Sequence, residues 1–292
     1  MSMSPLPEPT HRSARVTAPD PNLLAEVEEA GLNASAAPEQ RWLDGWLLRT
    51  CPVKAKRSRC IYPLAPGRLV LAERLQRARE VYRSAGLPLV LRLTPLVADE
   101  PAGIRLDDEL DRLGLARIDD TRVMIHADLG AAGLAEALPV SADASSPGVM
   151  PGLAGLVVER CEPAAYADLI GGLRGTPAAQ RAAHARRLMQ APVPHVALTL
   201  RNAHGDLLAC GQYAREDRRV GLYDVAVPTE HRGQGWGRRL CATLLAQARA
   251  DGARLAYLQV EADNAPARAI YHRLGFADGY AYHYRCDDPA SV

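Results

Sequence analysis

The sequence predicts an α/β (α+β) protein in which a mixed, mostly antiparallel sheet is flanked by helices, with two copies of this arrangement in tandem. Runs of strand-like segments are followed by strand–helix–strand units, a pattern typical of a mixed sheet covered by helices. Short sequence echoes at a nearly constant offset indicate an internal duplication. A strand, a glycine-rich turn and an amphipathic helix follow one another at residues 225–248, which indicates a site for an anionic ligand.

The first block of regular structure spans residues 22–128. It follows a polar, proline-rich start, residues 1–21, which we expect to be a flexible tail. Helical spacing of Leu71, Leu75 and Tyr82 predicts the first helix, and two apolar runs before it predict a hairpin. In order, the predicted elements are strands at 42–51 and 59–64, a helix at 71–85, a strand at 89–93, a helix at 106–113 and a strand at 122–126.

The second block spans residues 153–286. A segment rich in Ala, Gly, Ser and Pro, residues 129–152, separates it from the first block and is predicted to be a linker. The predicted elements are helices at 163–173 and 177–189, strands at 195–200, 207–213 and 220–227, a helix after Gly235, a strand at 255–260, a helix after Asn264 and a strand at 280–285.

Two short matches indicate that one fold occurs twice. Gly114 and Gly275 follow similar segments and lie 161 residues apart, and Gly86 and Gly252 do so at a separation of 166 residues. Helix–glycine–strand junctions share a common helix-terminating geometry, so short matches of this kind also arise by chance. The similar offsets favour duplication.

The turn that contains Gly233, Gly235 and Gly237 is suited to bind a phosphate. Glycines let the backbone approach an anion closely, and the first amides of the following helix have no partners within the helix. A dinucleotide fingerprint requires a glycine where Arg238 stands, and a P-loop requires Lys and Ser or Thr after its last glycine. Both of these alternatives are disfavoured.

Two motifs carry a resemblance to a known family. Residues 232–237, Arg-Gly-Gln-Gly-Trp-Gly, resemble the acetyl-CoA loop Arg/Gln-x-x-Gly-x-Gly/Ala of the GNAT acetyltransferases. Residues 264–276 resemble the second signature of that family, Asn-x-x-Ala-x-x-x-Tyr-x-x-x-Gly-Phe, with Ala267 or Ala269 as its alanine. The chain is therefore similar to a tandem GNAT protein.

The resemblance implies that acetyl-CoA is the cosubstrate and that the second block binds it. Backbone groups of Val225 and Val227 are expected to pair with the pantetheine arm, which requires the strand at 220–227 to splay from the strand at 255–260. Loop amides are expected to bind the pyrophosphate, and Arg232 and Arg238 either assist or are only solvated. The predicted cofactor-binding residues are Val225, Ala226, Val227, Arg232, Gly233, Gln234, Gly235, Trp236, Gly237, Arg238 and Asn264.

The resemblance also implies catalytic roles. Tyr271 is the predicted general acid, because a phenol with a pKa of about 10 stays protonated at neutral pH; its alternative role is packing on an amphipathic helix. Asn264 fits a helix cap, a cofactor contact, or both. Glu261 is the first choice for the base that accepts the amine proton and Asp224 the second, although surface carboxylates are commonly only solvated. The side-chain spacing predicts no metal.

The first block departs from the motifs. No Arg/Gln-x-x-Gly-x-Gly sequence precedes its helix, and Leu110 stands where the second block has Tyr271. We therefore expect a degenerate copy that either shapes the acceptor pocket or is purely structural. The basic run at residues 54–59 is interpreted as a solvated hairpin turn rather than as a site for an acidic acceptor.

Composition narrows the possible functions. The chain of 292 residues is 48% hydrophobic and 24% charged, with a net charge of +1, so no global basic field attracts nucleic acid or membranes. No apolar run has the length of a membrane span, and the start lacks the apolar core of a secretory signal. We expect a cytoplasmic protein whose six cysteines are reduced packing residues.

Together these features predict an N-acetyltransferase that transfers the acetyl group of acetyl-CoA to a primary amine of a small molecule or peptide by direct attack. One alternative is a non-catalytic acyl-CoA-binding or regulatory module. Another is an acyltransferase with a different acyl donor or acceptor. A monomer and a homodimer are both compatible with the sequence.

Overall fold

The structure is a computed structural model that describes residues 20–95, 105–130 and 155–292. The predicted tail and linker lie almost entirely outside these residues, so the domain boundaries stay predictions. The first helix begins at Pro21, one residue before the predicted start of the first block. The last strand ends at Cys286, where the second block was predicted to end.

Seven helices and eleven strands make up the described fold. The helices are α1 (Pro21–Ala34), α2 (Leu71–Ser84), α3 (Leu106–Arg112), α4 (Pro163–Leu173), α5 (Ala178–Met189), α6 (Trp236–Ala250) and α7 (Ala265–Arg273). The strands are β1 (Gln40–Leu43), β2 (Trp46–Arg49), β3 (Ile61–Pro63), β4 (Val90–Leu93), β5 (Ala116–His126), β6 (Leu156–Cys161), β7 (His195–Asn202), β8 (Leu207–Glu216), β9 (Arg219–Ala226), β10 (Leu255–Glu261) and β11 (Ala277–Cys286).

All eleven described strands form one sheet, in the order β1-β2-β3-β4-β11-β5-β10-β9-β8-β7-β6. β11 of the second half lies between β4 and β5 of the first half, and β5 lies between β10 and β11 of the second. β3–β4 and β9–β10 pair in parallel, and the other eight pairs are antiparallel. The mixed, mostly antiparallel arrangement is confirmed, but the two sheets exchange their last strands and become continuous.

The two halves are related by a pseudo-two-fold axis through the β5–β11 pair. Ala116 pairs with Cys286, and Ala277, the counterpart of Ala116 after the matched glycines, pairs with Ile125. The order β3-α2-β4-α3-β5 of the first half repeats as β9-α6-β10-α7-β11. This repetition supports the predicted duplication.

The helices are divided between the two faces of the sheet. Alternate residues of β4, β5 and β10, such as Val90, Val123 and Tyr257, pack with α1 on one face, which we call the α1 face and which also carries α4 and α5. On the other face, α6 and α7 pack over Leu258 in the second half, and α2 and α3 pack over Leu91 in the first. We call this the α6 face.

Three local features differ from the predicted elements. The segment 42–51 is not one strand, because Asp44 and Gly45, both with positive φ (45° and 86°), form a tight turn between β1 and β2. An Asp-Gly pair is a strong hairpin signal, and the prediction missed it. The helix α1 and the strand β6 were also not predicted, although both lie within the predicted blocks.

No helix among the described residues is long and apolar enough to cross a membrane. The six cysteines are free thiols, and five of them are buried, as expected for reduced packing residues.

The strand exchange predicts that the two halves unfold together. Tyr282 on β11 is buried, and its ring centroid lies 3.8 Å from the guanidinium carbon of Arg92 on β4. Its hydroxyl donates a 2.7 Å hydrogen bond to Gln259 on β10. Tyr282→Ala should destabilise the chain by about 3–5 kcal/mol, the usual cost of removing a buried aromatic ring. Scanning calorimetry should show one transition that moves to lower temperature. Two transitions, of which only one moves, would contradict the exchange.

Candidate active site

The turn between β9 and α6 adopts a backbone that requires glycine. Gly233 and Gly235 have positive φ of 76° and 84°, and Gly235 is the N-cap of α6. An added Cβ at either glycine would meet no atom within 4 Å, so the space beside the turn is open. Glycine is needed here for backbone conformation, and the open space leaves the turn accessible to a ligand.

The first turn of α6 has unused hydrogen-bond donors. No side chain caps its N-terminus, and the first-turn amides of Trp236, Gly237 and Arg238 have no partner among the described residues. The helix dipole adds partial positive charge at the same place. The turn therefore has the geometry of the predicted phosphate site.

The polar side chains of the turn partly bind one another. The Trp236 indole donates a 3.1 Å hydrogen bond to Gln234, whose amide donates to the Glu230 carbonyl at 3.3 Å. Arg232 donates from Nε to the Val227 carbonyl at 3.3 Å, so this predicted pantetheine partner already accepts one bond. Arg238 is exposed beside the helix start, where a solvated and an anion-binding role both fit.

The strands β9 and β10 splay where the sequence analysis required it. Their parallel pairing ends at Leu222–Leu258, so neither Tyr223–Ala226 nor Gln259–Glu261 pairs with the other strand. A bulge occurs just beyond this point, where Asp224 and Val225 of β9 lie opposite Gly211 of β8. The resulting gap leaves backbone groups near Val225 on the side toward β10.

The signature residues of α7 lie beside the turn. Asn264 caps the helix, with its side chain accepting a 3.2 Å bond from the Ala267 amide, which confirms its capping role. Ile270, Tyr271, Val225 and Trp236 all pack against the same apolar cluster on the α6 face. The structure thus places Ile270 and Tyr271 of α7 beside the first turn of α6, where a Cβ on Gly237 would lie 3.5 Å from Ile270.

Tyr271 is half-buried, and its hydroxyl forms no hydrogen bond within the described residues. Burial raises the pKa of Tyr271 well above its ordinary value, so the phenol keeps its proton at neutral pH. Its ring also packs edge-on against Phe276, with centroids 6.1 Å apart. The residue therefore both packs and presents an unused proton donor.

Glu261 lies on the opposite face of the sheet from Tyr271. Tyr257, Gln259 and Glu261 are every second residue of β10, so their side chains share the α1 face. Glu261 itself is exposed.

Asp224 is held in place by several partners. Its carboxylate accepts bonds from Arg174 at 2.6 Å and Gln212 at 2.7 Å, and His184 lies 3.6 Å away. Burial alone would raise the pKa of Asp224. The charge of Arg174, that of His184 once it is protonated at low pH, and the bond from Arg174 together hold this pKa well below its ordinary value. A carboxylate so strongly stabilised in its charged form is a weak proton acceptor.

The sequence analysis missed the residues around Asp224 that come from α4 and α5. Arg174 ends α4, while His184 and Arg187 lie on α5, where Arg187 is buried and donates to His184 at 3.4 Å. Burial lowers the pKa of His184 and keeps its ring neutral at neutral pH. No local motif distinguishes these side chains, because only the fold brings α5 over the bulge.

Apart from the exposed Lys54, the basic run at residues 54–59 is not a solvated turn. Arg57 and Arg59 are half-buried, and Arg57 lies 5.8 Å from the ring centroid of Tyr223 at the splay. Lys56 forms a 2.6 Å ion pair with Asp119. The first half therefore reaches the edge of the candidate site, which supports a role in shaping the acceptor pocket.

The equivalent turn of the first half is closed by an internal carboxylate. Asp44 accepts bonds from the amides of Arg68 at 2.9 Å and Leu69 at 2.8 Å, just before α2 begins. These amide bonds hold the pKa of Asp44 below its ordinary value. An added Cβ on Gly67 would lie 2.4 Å from Asp44 and 2.5 Å from Arg74, so this turn has no open space. Asp44 therefore fills the turn that precedes α2.

A search of the described residues finds no group of three or more His, Cys, Asp or Glu side chains placed to hold a metal ion.

Two family models match the chain. Residues 168–276 match the acetyltransferase (GNAT) family, and residues 24–129 match the C-terminal region of the probable histone acetyltransferase Rv0428c. The GNAT match contains the turn, Asn264 and Tyr271.

Curated relatives match parts of the chain. It is 35% identical over 79 residues to the uncharacterised N-acetyltransferase YobR of Bacillus subtilis and 47% identical over 55 residues to mycothiol acetyltransferase of Corynebacterium glutamicum. These matches cover 27% and 19% of this chain and 32% and 19% of the relatives. The chain thus matches less than half the length of either protein.

Solved structures share the fold. A GNAT protein from Kribbella flavida is 17% identical with a TM-score of 0.58, and the alignment covers 91% of this chain and 95% of that chain. A tandem GNAT protein from the clavulanic acid biosynthesis pathway is 19% identical with a TM-score of 0.52, over 75% and 70% of the two chains.

Asp224 should make stability depend on pH. The pKa of Asp224 is lower in the folded chain than in the unfolded chain, where it is about 3.9. Its contribution to the free energy of unfolding is therefore fully present above pH 3.9 and is lost as the pH falls through the folded-state pKa. Asp224→Asn should cost about 1.5–3 kcal/mol at pH 7, since the charged hydrogen bond from the partly exposed Arg174 is lost, and should flatten the decline in stability below pH 4. Urea unfolding between pH 2.5 and 7 tests this. Parallel pH curves for variant and parent would refute it.

Proposed function

Because residues 168–276 make this chain a member of the GNAT acetyltransferase family, we propose that it transfers the acetyl group of acetyl-CoA to a primary amine. The observation that carries the proposal is the open glycine turn, with its unused amides, beside the splay between β9 and β10 and the half-buried Tyr271. The turn would hold the diphosphate of acetyl-CoA, the splay would hold its extended, amide-bearing arm, and Tyr271 would lie beside the thiolate that leaves. The acetyl-CoA dependence and the amine acceptor are both part of the proposal.

The proposed binding of acetyl-CoA follows from the local geometry. Amides from Gly233 to Arg238 would donate to the diphosphate, with Arg232 and Arg238 adding charge-assisted bonds. The backbone of Val225 would pair with the pantetheine arm, and the carbonyl of Val227 would do so with the lone pair that Arg232 leaves free. The acetyl group would then lie in the splay.

In the proposed reaction, the lone pair of the neutral amine attacks the thioester carbonyl carbon and forms the new C–N bond. The C–S bond breaks and its electron pair leaves with the thiolate, while the nitrogen loses one proton. Glu261, exposed on the α1 face, is the proposed acceptor of that proton, directly or through water. Asp224 is better suited to hold Arg174 and His184 in place than to act as the base.

Tyr271 would donate a hydrogen bond to the leaving thiolate and pass its proton on. A phenol, with a pKa of about 10, is a weaker acid than a thiol, with a pKa of about 8.5. Burial raises the pKa of the Tyr271 phenol further. Complete transfer is therefore uphill, and stabilisation of the developing thiolate by the hydrogen bond is the larger part of the role. The proton returns to the phenol from solvent after the thiol departs.

The loop assignment predicts a specific loss of cosubstrate binding. Gly235→Val forces a β-branched residue into a left-handed backbone and displaces the amides that follow it. The affinity for CoA should fall by about 30-fold or more, because several contacts of ~0.3–1 kcal/mol each are lost. Titration calorimetry measures it. The control is Gly205→Val, which has the same strain (φ 88°) in the remote turn between β7 and β8. Equal affinity in both variants would refute the assignment.

The proposed acid predicts a defect in turnover rather than in binding. Tyr271→Phe removes the phenol hydroxyl but keeps the ring that packs against Phe276, so turnover should fall by roughly 10²–10⁴ while CoA still binds. Tyr213→Phe is the control, since that hydroxyl bonds Asp251 at the far end of α6. Steady-state release of CoA thiol with a panel of amines measures both variants. Normal turnover in Tyr271→Phe would remove the residue from the mechanism. A folded parent chain that binds CoA but acetylates no amine would instead favour a non-catalytic acyl-CoA-binding module.

A further inference from the structure

Two arginines from different halves of the chain meet on the α1 face of the splay. Arg57 lies in the 3₁₀ turn Lys56–Ser58 between β2 and β3, beside the ring of Tyr223. Arg187 lies on α5 of the second half, with 5% of its surface exposed, and donates to the Ala34 carbonyl at 3.3 Å. The two guanidinium groups are close enough for the charge of Arg57 to lower the pKa of Arg187, after the larger effect of burial.

Neither of these arginines has a carboxylate of its own to pair with in the part of the chain that the structure describes. Among the described residues, neither Arg57 nor Arg187 has a carboxylate within ion-pair distance. Asp224 is the carboxylate that acts on Arg187, and it is already paired with Arg174 at 2.6 Å. One carboxylate therefore acts on both Arg174 and Arg187, and none of the described residues is a carboxylate paired with Arg57. Buried charge of one sign is costly unless a counter-charge is supplied.

The same region contains buried polar atoms without partners. The Nε of Arg187 makes no hydrogen bond, although the residue is almost completely buried. His195 donates from Nε2 to the Ala34 carbonyl at 3.0 Å, which leaves its buried Nδ1 as an acceptor without a donor. Burial lowers the pKa of His195 to about 4, so this ring adds no positive charge at neutral pH. The unpaired donor of Arg187, beside a second guanidinium group, suits an anionic ligand.

The arginines lie where an acceptor would approach. Tyr223 contacts Arg57, packs 5.6 Å from His195 and donates to or accepts from Tyr257 at 2.9 Å across the start of the splay. The next residue, Asp224, begins the bulge. The glycine turn and Tyr271 lie on the opposite α6 face, so a ligand held by the arginines would reach the acetyl group from the α1 face.

We propose that the acceptor is an amine that also carries a carboxylate, and that Arg57 and Arg187 bind this carboxylate at the junction of the two halves while the amino group lies in the splay. The proposal rests on the proposed function for the reaction itself. It gives the first half a role in acceptor selection, since Arg57 is its contribution to the pocket. Guanidinium groups bind carboxylates through paired, charge-assisted hydrogen bonds, which fits this choice of anion.

The test compares acceptors that differ only in charge. The full-length chain is assayed with acetyl-CoA and a series of amino acids, their carboxamides and the corresponding aminoalkyl phosphates. The amino acids should exceed their carboxamides in kcat/KM by about 10-fold or more, as expected for the loss of a charged hydrogen-bonding partner. Arg57→Gln should raise KM for the amino acids by a similar factor, with little effect on the carboxamides or on CoA affinity. Lys54→Gln, an exposed residue of the same basic run, is the matched control and should change nothing.

Binding without turnover separates this proposal from the proposed reaction. N-acetyl amino acids and their carboxamides are titrated calorimetrically into the CoA-loaded chain and its Arg57→Gln variant. Acid-selective binding that depends on Arg57, with no turnover of any amine, would support the carboxylate site and overturn the reaction. Turnover without preference for the acids, equal loss for acids and carboxamides in Arg57→Gln, or a preference for phosphates would overturn the carboxylate site alone. If the acids are neither bound nor acetylated, the carboxylate proposal is also overturned.

Discussion

The antiparallel pairing of β5 with β11 is the constraint on which the rest of the structure depends. Each of these strands lies in the sheet of the other half, so neither half completes its sheet alone. The exchange makes one continuous sheet and fixes how the halves approach each other. As a consequence, α1 of the first half covers β9 and β10 of the second, and Arg57 reaches the splay between them.

The two halves share a framework but differ in the turn that leads into one helix. Before α2, the carboxylate of Asp44 binds the amides of Arg68 and Leu69 and fills the available space. Before α6, the amides are left without partners beside two glycines in left-handed conformation. The turn is therefore filled by an internal carboxylate in the first copy and open in the second, which supports the proposal of a single cosubstrate site.

The sequence predicted features that depend on neighbouring residues. Helical spacing located α2 and α6, and glycine and asparagine positions located the turn and the cap of α7. Features that depend on distant residues were missed. The strand exchange, the pairing of Asp224 with Arg174 and the approach of Arg57 to Tyr223 join segments 50 or more residues apart, and no local pattern encodes them. The choice between Glu261 and Asp224 likewise depends on burial and charge that only the folded chain reveals.

The most direct measurement of this account is a crystal structure of the full chain with CoA and an N-acetylated amino acid. The account predicts the diphosphate at the amides that open α6, the new amide between the diverging ends of β9 and β10, and the carboxylate against the guanidinium of Arg57. A product held by second-half residues alone, with Arg57 turned away from it, would contradict the claim that the exchanged strands build one site from two halves.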